Sequence, residues 1–489
     1  MTNIVIVVFD GLQPAQVNAA LMPNLSRFAM EGVTGSNHHA VFPTVTRANV
    51  ASIVTGHHPG AHGLTANMLV IPEFDPRHAI GALEPTLSEV AARHPVLLKP
   101  TLGDILYQHG QEYIAVGTGT SGNAYLQNPN AETGGGATIH PDFCLPHPLH
   151  HEIVARFGPW PDRREPSAAK LSRAVEIFTE YALAERQAAV SLLWFSEPDS
   201  SQHAHGVGST DAVRSIAEAD RQFGRLLAWL DERNLFSETN VIVVSDHGYS
   251  TISEVIDIET QLRDAGFPPA SEPGGVAVAP NGGSVLFYAP LDAEATTARL
   301  AEWLMSQPWC GALVASDAAG DIPGTLPASL IGLEGPRAPG LSMSFRWNSA
   351  VNSAGFPGHA YSTNLGPGLG QHGSMSRHET RNVFFARGPD FKESAAVDTP
   401  TGNVDLAPTI LRILGLPGGE TMHGRILHET LRGGPDAVEW QTETREAERS
   451  TPMGHYRQAI AISRVGETVY VDDGNGGCNP VDVTQTGQR

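Results

Sequence analysis

Cysteine is scarce in this chain. Cys144, Cys310 and Cys478 are the only three, far apart and odd in number, so no disulfide framework is implied. Positive charge is short as well: 31 Lys and Arg against 52 Asp and Glu leave a net charge of -21 and a pI near 5.4. That balance argues against nonspecific binding to a nucleic acid polymer or to an anionic membrane. No apolar run reaches membrane-spanning length, and no internal repeats or heptads stand out. An apolar strand that begins at Asn3 leaves no room for a signal peptide, so the cytoplasm is the expected location. What remains is a soluble chain of 489 residues with 41% hydrophobic content, enough to bury a sizeable core, with one main domain carrying insertions expected.

Several buried-strand patterns in this chain end in acids or precede histidines. Asn3 to Phe9 is an unbroken apolar run closed by Asp10-Gly11. It reads as a parallel strand covered on both faces, with Asp10 at the carboxyl end, where open α/β sheets place ligands. The other reading of Asp10 is a turn aspartate capping the next segment. Val190 to Ser196 runs into Glu197-Pro198-Asp199, with His203 four residues further on, and Val241 to Ser245 delivers Asp246-His247-Gly248. His372 lies between Gly370 and Gly373, ahead of the strand Asn382 to Ala386. Carboxylate and imidazole are ligands that zinc accepts. Any one of the 21 histidines is more simply structural, but three strand-end clusters taken jointly point to a two-metal phosphoryl-transfer site. His205 reads as a solvent-facing or supporting residue.

Phe42-Pro43-Thr44-Val45-Thr46 is a loop that leads into a short helix stopping at Gly56. Thr46 at the helix entry faces unpaired amide hydrogens and the positive end of the dipole. It is either an N-cap or, with a metal nearby to lower its hydroxyl pKa, a nucleophile. Arg47 comes next and is either a holder of a second anionic group of the substrate or a structurally paired arginine.

The set resembles the alkaline phosphatase superfamily, and within it the nucleotide pyrophosphatase/phosphodiesterase branch. The shared pattern is Phe42-Pro43-Thr44-x-Thr46-x-x-Asn49, Ser52-Ile53-Val54-Thr55-Gly56, Pro59, His62-Gly63, Asn67, Glu197-Pro198-Asp199, His203, Ser245-Asp246-His247-Gly248 and His372-Gly373. Asp405 to Leu411 also looks like that superfamily's late helix. The resemblance implies two divalent ions, best matched by zinc. Asp199, His203 and His372 would hold one, and Asp10, Asp246 and His247 the other, beside Thr46. Asn67 would donate its amide to a phosphoryl oxygen. Thr46 would attack phosphorus, and the resulting phosphothreonine would be hydrolysed. Departures from the pattern are Arg47 where an aromatic is usual, Ala48 for proline, Gln202 for glycine, and no aromatic after Gly373.

The expected fold class is α/β: an alkaline-phosphatase-like core of a mostly parallel sheet with helices on both faces, plus an inserted cap. Residues 1–250 and 371–435 would form the core, with a loop-rich insertion at about 121–164. Residues 251–370, rich in Gly and Pro with one clear strand at Gly283 to Tyr288, would form the cap. Residues 436–489 would form a hairpin around Val465-Gly466-Glu467, packed on a sheet edge, and a disordered tail. Cys144, His147 and His150 have metal-compatible spacing, but the intervening prolines favour an irregular surface loop at the pocket rim.

The expected function is metal-dependent hydrolysis of phosphate diesters or pyrophosphate bonds of a small phosphorylated substrate. A phosphomonoesterase or phosphonate hydrolase of the same superfamily is the alternative. A cofactor-independent phosphosugar mutase fits less well, because it uses a serine followed by a large inserted domain, and the chain from Thr46 to Asp199 reads as loop-like. Intact ligands disfavour a non-catalytic binding protein, and the absence of a nearby cysteine disfavours a sulfatase.

Overall fold

The run Asn3–Phe9 carries no polar alternation because neither of its faces meets water. Ile4, Ile6 and Val8 pack against Val50, Ile53 and Val54 of helix Thr46–Thr55 and against Ile410 and Leu411 of helix Leu406–Leu414. Val5, Val7 and Phe9 pack against Leu25 and Phe28 of helix Pro23–Glu31 and against Phe223 and Leu226 of helix Thr210–Glu232, which Ser209 caps. Each such buried side chain contributes roughly 1.5–3 kcal/mol. The strand that carries Asp10 is therefore held from both sides. The structure, a computed structural model, describes residues 2–161, 167–289 and 294–480.

Asn3–Phe9 is central in a ten-stranded sheet. It runs parallel to Val190–Phe195 on one side and to Thr239–Val244 on the other, with Phe9 opposite Phe195 and Val8 opposite Val244. Tyr113–Gly117 continues the parallel order beyond Val190–Phe195, followed by Ala137–Ile139. Arg381–Arg387 is antiparallel to Thr239–Val244, so the chain entering it arrives at the edge where the parallel strands end. Val33–His39 pairs antiparallel with Arg381–Arg387, and the short strands Ala395–Val397 and Thr401–Gly402 run parallel to it. This is the expected α/β class, a mostly parallel sheet with helices on both faces.

The intervening segments hold more regular structure than the sequence reading expects. Residues 121–164 are not loop-rich where they are described: they contain helices Ser121–Gln127 and Leu149–Phe157, and the strands Ala137–Ile139 and Cys144–Leu145, which extend the main sheet. The chain between Thr46 and Asp199 is thus built into the sheet, not loop-like. Cys144 lies in a buried strand, not on a surface loop, and burial pushes its thiol up to about 12. Within 251–370, Ser284–Tyr288 is one of five strands of a separate sheet, and Ser250–Val255 belongs to a further four-stranded one. Glycine and proline there mark tight turns between strands, which a composition reading mistakes for irregular chain.

The hairpin at Gly466-Glu467 forms, but Gln441–Thr451 adds a third strand, and Thr468–Pro480 takes in Gly474, Asn475 and Gly476, which composition alone assigns to a disordered tail. Residues 481–489 lie outside the described residues. This sheet docks on the strand Cys310–Ala315 through Gln458, whose side-chain oxygen accepts from Leu313 N at 2.8 Å while its amide donates to Leu313 O at 2.8 Å. Among the described residues, no helix is long and apolar enough to cross a membrane.

Candidate active site

Because three neighbouring parallel strands end together, the residues just past them converge. Asp10 comes directly after Phe9, Asp199 opens helix Asp199–His205 just past Phe195, and Asp246-His247 come after Val244-Ser245. His372 reaches the same edge through the turn after Gly370-Gln371. Gly11 has φ +68°, and a Cβ there would stand 2.7 Å from the Tyr249 ring. Only glycine lets the chain turn away behind Asp10 against that ring.

Thr46 is the first residue of its helix, and Val45 holds the capping position without a side-chain cap bond. The threonine is therefore not an N-cap. Its hydroxyl is buried, 3.3 Å from His247 Nε2.

The histidine tautomers are set by their partners. His203 Nδ1 lies 3.0 Å from Gly370 O, His372 Nδ1 2.8 Å from Thr44 O, and His247 Nδ1 2.9 Å from Gly248 O. A carbonyl only accepts, so each Nδ1 carries the hydrogen and each Nε2 presents a lone pair. Nε2 of His203 and Nε2 of His372 are 3.1 Å apart, and each is 3.3 Å from Asp199 Oδ1. Two lone pairs and a carboxylate facing one point without a proton between them fit a cation. The donor atoms of Asp10, Asp199 and His247 form a second such group, so Asp199 touches both. Asp246 Oδ2 is 3.2 Å from His247 Nε2. The rings of His247 and His372 stack with centroids 3.7 Å apart.

Each of two carboxylates is satisfied on one oxygen and bare on the other. Asp10 Oδ2 accepts from Trp194 Nε1 at 2.9 Å and from Asn123 Nδ2 at 3.4 Å, while its Oδ1 is buried without a partner. Asp246 Oδ1 accepts from Gly11 N at 3.0 Å, and its Oδ2 is likewise bare. Burial, with the neighbouring acids adding to it, holds the Asp10 carboxyl well above its usual range, and burial raises Asp246 to about 7. Burial also pushes Asp199 upward, but a proton on Nε2 of His203 or His372 outweighs it and keeps that carboxyl well below the usual range, so the site holds positive charge against Asp199 either as a proton or as a cation. Burial, then His372, holds the His247 imidazole neutral. Crowded acids with buried, unpartnered oxygens beside neutral imidazoles are the donor set of a cation site.

Asn67 accepts from Arg47 N at 3.0 Å through Oδ1, which leaves its amide hydrogens uncommitted among the described residues. Arg47 donates from Nη2 to Thr120 Oγ1 at 3.2 Å, and its Nε is buried without an acceptor. Burial lowers its pKa to about 10, against the opposing pull of Asp10 and Asp199.

Several supporting residues escape a reading of the sequence. Trp194 reads only as one more apolar strand residue, yet its indole N–H holds Asp10. Asn123, braced by Gln127 Nε2 at 2.8 Å, comes from the segment expected to be loop-rich. The Tyr249 hydroxyl donates to Asp199 Oδ1 at 2.9 Å. Asn403 donates to Asp246 O at 2.7 Å and to Asn49 Oδ1 at 2.9 Å. Gln202, where the pattern has glycine, donates to Gly11 O at 3.1 Å and so steadies the Asp10 turn. The adjacency of Tyr249 to Asp246-His247, and the places of Asn49 and Gln202 within the resembling pattern, offer a signal. Cys144 Sγ stands 3.9 Å from His150 Nδ1, and the groups able to hold a metal among the described residues do not include that pair.

The family model for type I phosphodiesterase / nucleotide pyrophosphatase matches residues 4–351. Ectonucleotide pyrophosphatase/phosphodiesterase 1 of Saccharomyces cerevisiae is 26% identical over 266 residues, covering 51% of this chain and 34% of the relative. Family member 1 of Homo sapiens is 26% identical over 241 residues, covering 49% of this chain and 22% of the relative. Venom phosphodiesterase CdcPDE of Crotalus durissus collilineatus is 26% identical over 241 residues, covering 48% and 24%. This chain thus spans about a third or less of the length of these curated relatives. A solved structure of murine ectonucleotide pyrophosphatase / phosphodiesterase 5, inactive and in complex with AMP, superposes with a TM-score of 0.59 at 17% identity, covering 85% of this chain and 96% of that one. That likeness gives the fold, an alkaline-phosphatase-like one. With the model matching well over half of its length, the chain belongs to the type I phosphodiesterase / nucleotide pyrophosphatase family.

Proposed function

We propose that this protein is a hydrolase of phosphate diesters or pyrophosphate bonds, with Thr46 as nucleophile. The observation that carries the reading is a buried threonine hydroxyl 3.3 Å from the unprotonated Nε2 of His247, beside two carboxylates that each keep one oxygen bare. Asp199, His203 and His372 would hold one divalent ion, and Asp10, Asp246 and His247 the other, next to Thr46. Zinc suits this mixed donor set. When bound, such ions supply charge stabilisation to phosphoryl oxygens and lower the pKa of a neighbouring hydroxyl.

Thr46 Oγ1 forms a bond to phosphorus as the bond to the leaving oxygen breaks. The threonine proton passes to solvent, and the leaving oxygen takes one from solvent. Asn67, fixed through Oδ1, turns its amide hydrogens to a non-bridging oxygen. Water then cleaves the phosphothreonine and restores the hydroxyl. Positioning and electrostatics carry the rate, as in phosphoryl transfer generally. The names of the relatives and the AMP bound to the murine protein support a small phosphorylated substrate.

The test is metal analysis of the purified protein together with initial rates on bis-p-nitrophenyl phosphate, p-nitrophenyl phosphate and phosphonoacetate, with and without chelator. About two zinc equivalents and chelator-sensitive diester cleavage are expected. Bound metal with no turnover on any of the three substrates would overturn the hydrolase reading. Arg47 in place of an aromatic favours a second reading, a monoesterase or phosphonate hydrolase, which preference for either of the other substrates would select.

A further inference from the structure

Arg47 and Arg337 both have buried guanidinium nitrogens, and they are treated differently. Arg337 is saturated: its Nε donates to Glu73 Oε1 at 2.8 Å, its Nη1 to Val96 O at 2.7 Å and its Nη2 to Pro95 O at 2.7 Å. Its carboxylate and carbonyl partners mark it as a structural arginine. Arg47 has none of that. Its Nη2 meets the hydroxyl of Thr120, its Nε is buried without an acceptor, and among the described residues no carboxylate pairs with it. A half-buried guanidinium with no carboxylate in direct contact is under-satisfied, and an arriving oxyanion would supply the missing partner.

The surroundings are shaped for such a guest. A Cβ on Gly122 would lie 2.8 Å from Arg47 Nε and 1.7 Å from Ala82 O, so the guanidinium rests over bare backbone at residue 122. The backbone N–H of Arg47 is tied to Asn67, and Thr46 precedes it, so the fork is anchored beside the nucleophile. Asp10 and Asp199 act on the guanidinium electrostatically, which sets it close to the proposed metal ligands; these two acids oppose an anionic guest until cations neutralise them. A planar fork whose exposed Nη edge meets only the Thr120 hydroxyl matches a carboxylate or phosphoryl oxygen pair in a way a lysine would not.

We propose that Arg47, with Thr120, forms a second anion subsite, and that the protein acts on compact phosphoryl compounds carrying a second oxyanion, a carboxylate or another phosphoryl group, a few bonds from the phosphorus under attack. This rests on the hydrolase reading above and narrows its substrate class.

The experiment compares ethylphosphonate, which has no second anion, with phosphonoacetate and methylenediphosphonate, as competitors of bis-p-nitrophenyl phosphate hydrolysis by the metal-loaded protein. Metal content is checked after each titration. In the native protein the two doubly anionic compounds should bind about ten- to a hundredfold more tightly than ethylphosphonate, the worth of one charge-assisted contact. Whichever of them binds better identifies the second group as carboxylate or phosphoryl. Arg47→Ala should collapse that preference towards one, and Arg47→Lys should restore only part of it. If Arg47→Ala loses metal or thermal stability, Arg47→Met, which keeps the aliphatic stem, serves in its place. Equal binding of all three compounds to the native protein, or a preference that survives removal of the guanidinium, would overturn the proposal. Should the protein turn over none of bis-p-nitrophenyl phosphate, p-nitrophenyl phosphate and phosphonoacetate, the hydrolase reading fails on its own, and calorimetric titration with the same three competitors still tests the subsite.

Discussion

Nε2 of His203 and Nε2 of His372 face each other across 3.1 Å, and in the neutral rings neither carries a hydrogen, because each Nδ1 hydrogen goes to a main-chain carbonyl. Such a pair is repulsive until a cation lies between the two atoms and Asp199. The protein should therefore be stabilised by divalent metal. Zinc at 1,000 times its dissociation constant should add about 4 kcal/mol, read as a rise in melting temperature that chelator reverses. Asp199→Ala should abolish the shift. A melting temperature indifferent to both zinc and chelator would refute the cation site.

Thr46→Ala removes the nucleophile but none of the carboxylates or imidazoles. Turnover of the diester should drop by a factor on the order of 10³ or more while metal content stays unchanged. Mass analysis of acid-quenched native enzyme should find phosphate on Thr46. Turnover retained in full would exclude the covalent route.

Trp194→Phe keeps most of the packing volume and deletes the N–H that donates to Asp10 Oδ2 at 2.9 Å. Supporting contacts of this kind are typically worth about ten- to a hundredfold in metal affinity, and a bare buried acceptor costs about 1–3 kcal/mol. Competition with a chromophoric chelator and thermal melting would read the two effects. A variant with native metal affinity would show that Asn123 and the backbone suffice to aim Asp10.

His38 is buried between Thr401 Oγ1 at 2.9 Å and Asn403 Oδ1 at 3.1 Å, and burial, reinforced by His39, lowers its pKa to about 3. The imidazole is thus neutral in the fold and protonates first in the unfolded chain. Its contribution is complete above the ordinary value near 6.5 and is lost as the pH falls from there towards 3, by up to about 1.4 kcal/mol per pH unit. Denaturant titrations between pH 7 and 5 should show a shallower acid loss in His38→Asn than in the native protein. Identical slopes would mean that His38 is not the group that titrates.

The α/β class and the convergence of the candidate residues at one sheet edge were legible in the amino-acid order because strands covered on both faces must be apolar throughout, and the polar residue that ends such a run stands out. Asp10, Asp199 and Asp246 each come just after such a run, and His203, His247 and His372 lie within a few residues of a strand or its entry. Local chemistry alone thus nominated them, with Thr46 marked by the helix start after its loop.

What local sequence does not encode is which long-range partner a polar atom finds. That Trp194 turns its one polar atom to Asp10, that Asn123 arrives from 113 residues away, and that Tyr249 meets Asp199 depend on strand order and register. The same limit applies to residues 121–164 and to the C-terminal chain, where glycine and asparagine suggest loop and tail but strand partners supply the backbone hydrogen bonds that make them sheet. It applies most sharply to Arg47. Its sequence position leaves open a paired or a free guanidinium, and only the tertiary packing of Thr120 and Gly122 around it decides that its Nε stays without an acceptor.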